Sequence, residues 1–287
     1  MNKWGLYFFR NMKYNVINII QIKEGVFLKK PVRIVLILLC VVFLGVFSFS
    51  AYKIISTLNG YKQAEKAYNN MSQQFVSTST VTPTPVPSGG VGDGIDPEVS
   101  PISVDFEALR AQSTDAVGWI YSPDTPINYP IAYTDNNFYY LDHILGEEYN
   151  ANGTIFIDCK CASDFSDKNT LVYGHNMNDG SMFASLRNYR DESYYPEHPV
   201  IYISTPKVNY RLDLIAGFVT EPTSFAYANT FDETEQFMHY IETIKSMSTF
   251  KSDVEVGPDD KVVTLSTCTY EINDGRYVVV GKLVQIH

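Results

Sequence analysis

The chain has 287 residues, of which 45% are hydrophobic, 14% aromatic and 19% charged, the composition of a globular protein able to bury a large core. Its formal net charge of −10 is unevenly spread: residues 1–33 hold seven of the 22 basic side chains and one of the 32 acidic ones, leaving 15 and 31, a net of −16, for the rest. A body that acidic repels phosphate, which excludes nucleic acid as a natural partner.

In chain order, residues 1–33 form a basic leader, and Ile34 to Tyr52 then runs without a charge. A helix needs about 20 apolar residues to cross a bilayer, and this run is close to that. The long basic leader, the length of the apolar run and the lack of a small-x-small site after it argue against a cleaved signal peptide. The excess of Lys29, Lys30 and Arg33 before the span predicts a single-pass protein of the cell membrane, N-terminus cytoplasmic and the acidic bulk outside. Cys40, inside the span, reads as apolar filler. Residues 53–76 are expected to continue as a juxtamembrane stalk, with Tyr61, Ala64, Ala67, Tyr68 and Met71 at helical spacing. Residues 77–101, rich in Pro, Gly, Ser and Thr, read as a linker with too little apolar surface to fold.

The folded domain is expected to span 102–287. A helical pattern at Val104–Arg110 and an apolar segment at Val117–Tyr121 are followed by strand-like runs at Gly153–Asp158, Thr170–Tyr173, Val200–Ser204, Tyr210–Thr220, Lys261–Thr267 and Arg276–Ile286. A short helix is predicted over Ser181–Tyr189. A longer one starts at an Asp232 N-cap with Glu235 three residues on, and its apolar face is Phe237, Tyr240, Ile241, Ile244 and Met247. Mostly strands without a βαβ rhythm predict an α+β domain, a mixed or antiparallel barrel with peripheral helices.

Two segments carry chemistry. In Thr264-Leu-Ser-Thr-Cys268 the thiol sits where a strand ends. Arg276 opens the next strand eight residues later, after the turn signal Asn273-Asp274-Gly275. Antiparallel neighbours joined by this loop would bring a thiol and a guanidinium together, and a nearby cation favours the reactive thiolate. Arginine also offers donors for an oxyanion. In Leu171-Val-Tyr-Gly174-His175-Asn-Met-Asn-Asp-Gly180-Ser-Met-Phe183 an imidazole ends another strand, placed to protonate a departing amine. Each segment alone also suits a structural role, and spacing does not join residues 175 and 268. Cys159-Lys-Cys161 is one C-x-C without a second pair, so no metal is assigned, and no cofactor is expected.

Taken together, Tyr-Gly-His-Asn-Met, Asp-Gly-Ser-Met-Phe, Thr-Leu-Ser-Thr-Cys and an Arg eight residues on resemble the sortase family, class B. Val117-Gly-Trp-Ile, Ile127-Asn-Tyr-Pro-Ile and Asp135-Asn-Asn-Phe-Tyr-Tyr-Leu extend the likeness over residues 103–285. The resemblance implies an eight-stranded β-barrel with N-terminal helices and a helix between the sixth and seventh strands. It implies a catalytic triad of His175, Cys268 and Arg276, with Thr267, Ser266 and Asn137 as substrate or supporting contacts. The implied activity is a thiol transpeptidase that cleaves a C-terminal sorting signal of secreted proteins after Thr and passes the acyl group to a peptidoglycan amine. A pilin polymerase using a Lys amine, or a non-catalytic binding protein on the same fold, remain alternatives. An L,D-transpeptidase would carry Ser-x-Gly-Cys-x-Arg, which this sequence lacks.

Overall fold

The computed structural model describes residues 29–79, 99–146 and 148–287. Most of the basic leader and the centre of the linker lie outside these residues. Helix α1 runs unbroken over Lys30–Phe75, with Pro31 in its first turn, where a missing N–H costs nothing. Between Val32 and Leu58 its large apolar side chains are exposed, and the helix is long and apolar enough to cross a membrane.

From Asn59 the chain belongs to a second compact unit that reaches His287. Here the expected boundaries change. Ala64, Tyr68, Met71 and Phe75, spaced at four, three and four, are buried in the main core and so form no free stalk. The Tyr68 hydroxyl donates to the Gly153 carbonyl and also meets Thr154 Oγ1 at 3.1 Å. Asn150 Nδ2 donates to the Gly60 carbonyl at 3.1 Å. The linker is shorter than its composition implies, because β1 (Val76–Thr78) pairs antiparallel with β2 (Ile102–Val104). The β-prone Val-Ser-Thr after the helix finds a strand partner beyond the Pro/Gly-rich segment.

Helix α2 (Phe106–Gln112) follows, capped by Asp105, whose side chain accepts from Ala108 N at 3.0 Å. Then come β3 (Ala116–Tyr121), β4 (Asn128–Ala132), the short hairpin β5 (His143–Ile144) and β6 (Glu148–Tyr149), β7 (Ile155–Ile157) and β8 (Asn169–Tyr173). The expected helix at Ser181–Tyr189 is a 3₁₀ segment, Ala184–Arg190. Next are β9 (Val200–Ser204), β10 (Asn209–Thr220), α3 (Thr234–Met247), β11 (Val262–Cys268) and β12 (Arg276–Ile286).

Eight strands close into a barrel in the order β10-β12-β11-β8-β7-β4-β3-β9, so the expected eight-stranded barrel is found, with α3 between its sixth and seventh strands. β4 is absent from the strand-like runs read from the sequence, and it contains Pro130, which has no N–H to give to a ladder. Its pairing with β7 begins only at Ile131, so the proline lies along an open edge. α3 differs at both ends from its sequence signal. Glu233 is the N-cap, without a side-chain bond, and the Asp232 N–H is bonded by Gln236 Oε1 at 3.1 Å. Met247, the last residue of the helix and expected on its apolar face, is 42% exposed.

The Val-rich run of β12 is buried on both faces. Tyr277 and Val279 face the interior core, while Val278 and Val280 join Phe237, Ile241 and Ile244 of α3 on the outer face. Burial of Phe75 from α1 is expected to matter as much as any barrel residue. Phe75→Ala should lower stability by about 3–5 kcal/mol, read from the guanidinium midpoint by fluorescence of the buried Trp119.

Candidate active site

β11 is the element on which the site is built. On one side it pairs in parallel with β8, Leu265 with Val172 and Ser266 with Tyr173, and the Gly174 N–H extends the ladder to the Ser266 carbonyl at 3.1 Å. On the other it pairs antiparallel with β12, and its last pair is Cys268 with Arg276. Directly opposed residues share a face with Cβ atoms about 5 Å apart, so thiol and guanidinium are neighbours across the ladder. The parallel register carries His175, two residues past Tyr173, level with Cys268, two past Ser266. Asn176 fastens this corner, its Nδ2 donating to the Cys268 carbonyl at 2.9 Å. At position 174 only glycine fits, since a Cβ would collide with the Ile155 and Phe183 side chains.

Strand alternation decides which groups meet. Residues 262, 264, 266 and 268 of β11 share one face. Val262 lies among the α3 residues on the outer side of the barrel, so Ser266 and Cys268 also point outward. There a cavity of about 490 Å³ is lined by His175, Cys268, Arg276, Ser266, Thr267 and Asn137 together. Phe156, Tyr173 and Tyr227 give it an aromatic wall, and Phe138, 77% exposed, stands at its edge.

The six predicted residues differ in what holds them. His175 Nε2 lies 2.6 Å from the Leu141 carbonyl. A carbonyl only accepts, so Nε2 carries a hydrogen, and Nδ1 is the nitrogen able to exchange a proton. Arg276 Nη1 donates to the carbonyls of Asp274 and Gly275 at 2.8 and 3.0 Å, with no protein partner for Nε or Nη2 among the described residues. That turn is tight enough to hold Asp274 at φ 54°. Ser266 Oγ shares a hydrogen bond of 2.8 Å with the Tyr227 hydroxyl. The Thr267 hydroxyl is on the opposite, inward face, buried without a partner among the described residues, so its part in the cavity wall is its backbone. Asn137 Oδ1 accepts from Cys159 N at 2.7 Å, which makes this side chain a brace for the loop after β7.

Sequence reasoning overlooked Asn176, Tyr173 and Tyr227. Asn176 adjoins His175 in the Gly-His-Asn string and could have been named. Tyr227 lies in the β10–α3 connection, where nothing local marks it. Burial, and next the Asp158 carboxylate, push the Tyr173 phenol up. Burial also raises Tyr227, although Ser266 and Arg276 oppose it. Both phenols therefore stay protonated as hydrogen-bonding walls and do not serve as bases.

The family profile described as Sortase domain matches residues 120–284. The chain belongs to the sortase family. The Sortase B of Listeria monocytogenes is 36% identical over 249 residues, covering 86% of this chain and 95% of the relative. A structure of sortase B from Bacillus anthracis in complex with AAEK1 matches with a TM-score of 0.65 and 31% identity, over 79% of this chain and 99% of that one. A Staphylococcus aureus sortase B-substrate complex matches with a TM-score of 0.61 and 30% identity, over 63% and 85%. These relatives place the sortase in class B and make it a cysteine transpeptidase.

The remaining cysteines are distinct in environment. Cys161 is buried against the Asn169 carbonyl, the Leu171 N–H and Asn229 Nδ2, and burial pushes its thiol up to about 11. Cys268 is half-buried at the cavity. Iodoacetamide near neutral pH should therefore label Cys268 and leave Cys161 untouched until the protein is unfolded, with peptide mass spectrometry locating the adducts.

Proposed function

We propose that this sortase cuts a C-terminal sorting signal of secreted proteins after Thr and transfers them to an amine of the cell wall, with Cys268 as nucleophile, His175 as acid and base and Arg276 as oxyanion and backbone donor. The observation that carries the reading is the register of β11, which sets Cys268 opposite Arg276 and level with His175 at one cavity. The cavity size and its aromatic wall suit a few residues of extended peptide.

In the first step the Cys268 thiolate attacks the Thr carbonyl carbon. The tetrahedral oxyanion is met by Arg276 and collapses with cleavage of the C–N bond. The leaving nitrogen takes a proton from the His175 imidazolium, and a thioacyl-enzyme remains. In the second step an amine attacks the thioester, a C–N bond forms as the C–S bond breaks, and the electron pair returns to sulfur. The amine's proton passes to His175, which restores the starting charges. The S. aureus neighbour, solved with a substrate, supports the use of such a cavity for peptide. For location, we read the apolar part of α1 as the membrane anchor, with the basic leader cytoplasmic and the barrel outside beside both substrates.

The test uses the full chain in detergent micelles, a panel of quenched fluorescent peptides bearing different sorting motifs, and an added amine. Wild type should cleave after Thr, form an acyl adduct on Cys268 and release an amide product. Cys268→Ala should give no adduct, His175→Ala should lower kcat/KM by about 10²–10⁴-fold, and Arg276→Ala by about 10²–10³-fold. Folded wild-type protein as inert as Cys268→Ala across the panel would overturn the assignment.

A further inference from the structure

The hydrogen bond that orients His175 has a support of its own. His175 Nε2 donates to the Leu141 carbonyl at 2.6 Å, and Leu141 ends a 3₁₀ turn, Tyr139–Leu141, at the cavity wall. So short a turn fixes little by itself, and its carbonyls stand where the neighbouring chain holds them. The neighbour here is Gly153-Thr154. The Thr154 N–H donates to the Tyr140 carbonyl at 2.9 Å and Thr154 Oγ1 to the His143 carbonyl at 2.8 Å, so Leu141 is bracketed between two bonded carbonyls. Gly153, at φ 58°, packs its bare Cα against the same turn, where a Cβ would collide with the carbonyl oxygens of Tyr140 and Leu141.

Tyr68 secures this pair from helix α1. Its hydroxyl donates to the Gly153 carbonyl and meets Thr154 Oγ1 at 3.1 Å. The Thr154 hydrogen is already given to His143, so Tyr68 is the donor in both contacts and shares one hydrogen between them. The tyrosine is buried, and its ring stands edge-on to Tyr129 with centroids 5.1 Å apart, which leaves the hydroxyl little freedom. A continuous path therefore runs from Tyr68 to Gly153 and Thr154, on to the Leu141 carbonyl, and from there to the imidazole. Tyr68 itself stands outside the cavity.

We propose that Tyr68 and Thr154 are positioning residues for the acylation step: their hydroxyls hold the Leu141 carbonyl where it aims the His175 imidazole at the departing nitrogen. The inference rests on the reading of His175 as the acid, given above. A carbonyl that drifts lets the imidazole turn with it, and proton transfer weakens steeply as donor and acceptor fall out of line. The buried half of α1 thus serves the chemistry as well as the core.

The experiment uses the full chain in micelles and two substrates that share one acyl peptide ending in Thr, taken from the panel above. One is the sorting-signal amide, whose leaving nitrogen needs the His175 proton. The other is the thiophenyl thioester, from which Cys268 displaces thiophenolate. There one C–S bond forms as another breaks, and the leaving anion takes no proton. The readout is the ratio of kcat/KM for the amide to that for the thioester, with the Cys268→Ala rate subtracted. Lost protein or weakened peptide binding lowers both values alike and leaves the ratio as it was. Tyr68→Phe and Thr154→Val should each lower the ratio about three- to tenfold, the effect of one misplaced hydrogen bond. Thr154→Ser, which keeps the hydroxyl, should retain the wild-type ratio. A wild-type ratio in Tyr68→Phe or in Thr154→Val would overturn the proposal, as would a fall in Thr154→Ser as deep as in Thr154→Val. A variant that fails to fold, and so loses both reactions, assigns its hydroxyl to the fold and equally ends the proposal. If His175→Ala leaves the ratio unchanged, the acid role of His175 falls first and the positioning with it. If wild type cleaves no peptide of the panel, the transpeptidase reading itself is struck.

Discussion

The structure depends on the register of β11 between a parallel and an antiparallel neighbour. A slip of one residue against either strand would turn every side chain to the other face. Cys268 would then enter the barrel interior, where Thr267 now lies. The register is held by what is buried along the strand. Val263 and Leu265 fill the interior, Val262 packs under α3, and Thr264 Oγ1 donates to Asn169 Oδ1 at 2.9 Å. The polar pair works as a key, since a slip would strand both groups without partners in a dry environment.

One guanidinium braces both ends of the loop between β11 and β12. Arg190 Nη2 donates to Thr269 Oγ1 at 2.5 Å, pairs with Glu271, and sits over the Tyr277 ring at 5.3 Å. Thr269 follows Cys268 and Tyr277 follows Arg276, so a single side chain touches the residue after each. Tyr277 is anchored in turn through Thr249, whose hydroxyl donates at 2.8 Å to the carbonyl of Tyr189, next to Arg190. The 3₁₀ segment after the His175 loop is thereby tied to the loop after Cys268, so the strand ends bearing the imidazole, thiol and guanidinium share one support.

The helical segment from Asn59 to Phe75 shows why composition is a poor guide to a domain edge. It is polar enough to read as a stalk, yet its four buried residues complete the core beside Tyr129 and the Gly153 turn. Periodicity marked that face, but nothing local said whether it would meet a protein surface.

The sequence by itself determined the apolar span, most of the strands, the helix over the barrel and the triad candidates. Each of those is written in neighbouring residues, as a charge-free run, an alternation of Val and Thr, or a turn such as Asn273-Asp274-Gly275. The pairing of Cys268 with Arg276 was also within reach, because a short loop between two strands leaves few registers. Only the tertiary structure decided that His175 stands level with Cys268, because β8 and β11 pair in parallel across a long connection with no local signal. It also decided that Thr267 faces inward, that Asn137 braces a backbone, and that Tyr227 closes the wall. Long-range pairing and burial on a curved sheet set those outcomes, and a residue's own neighbours in the chain do not encode them.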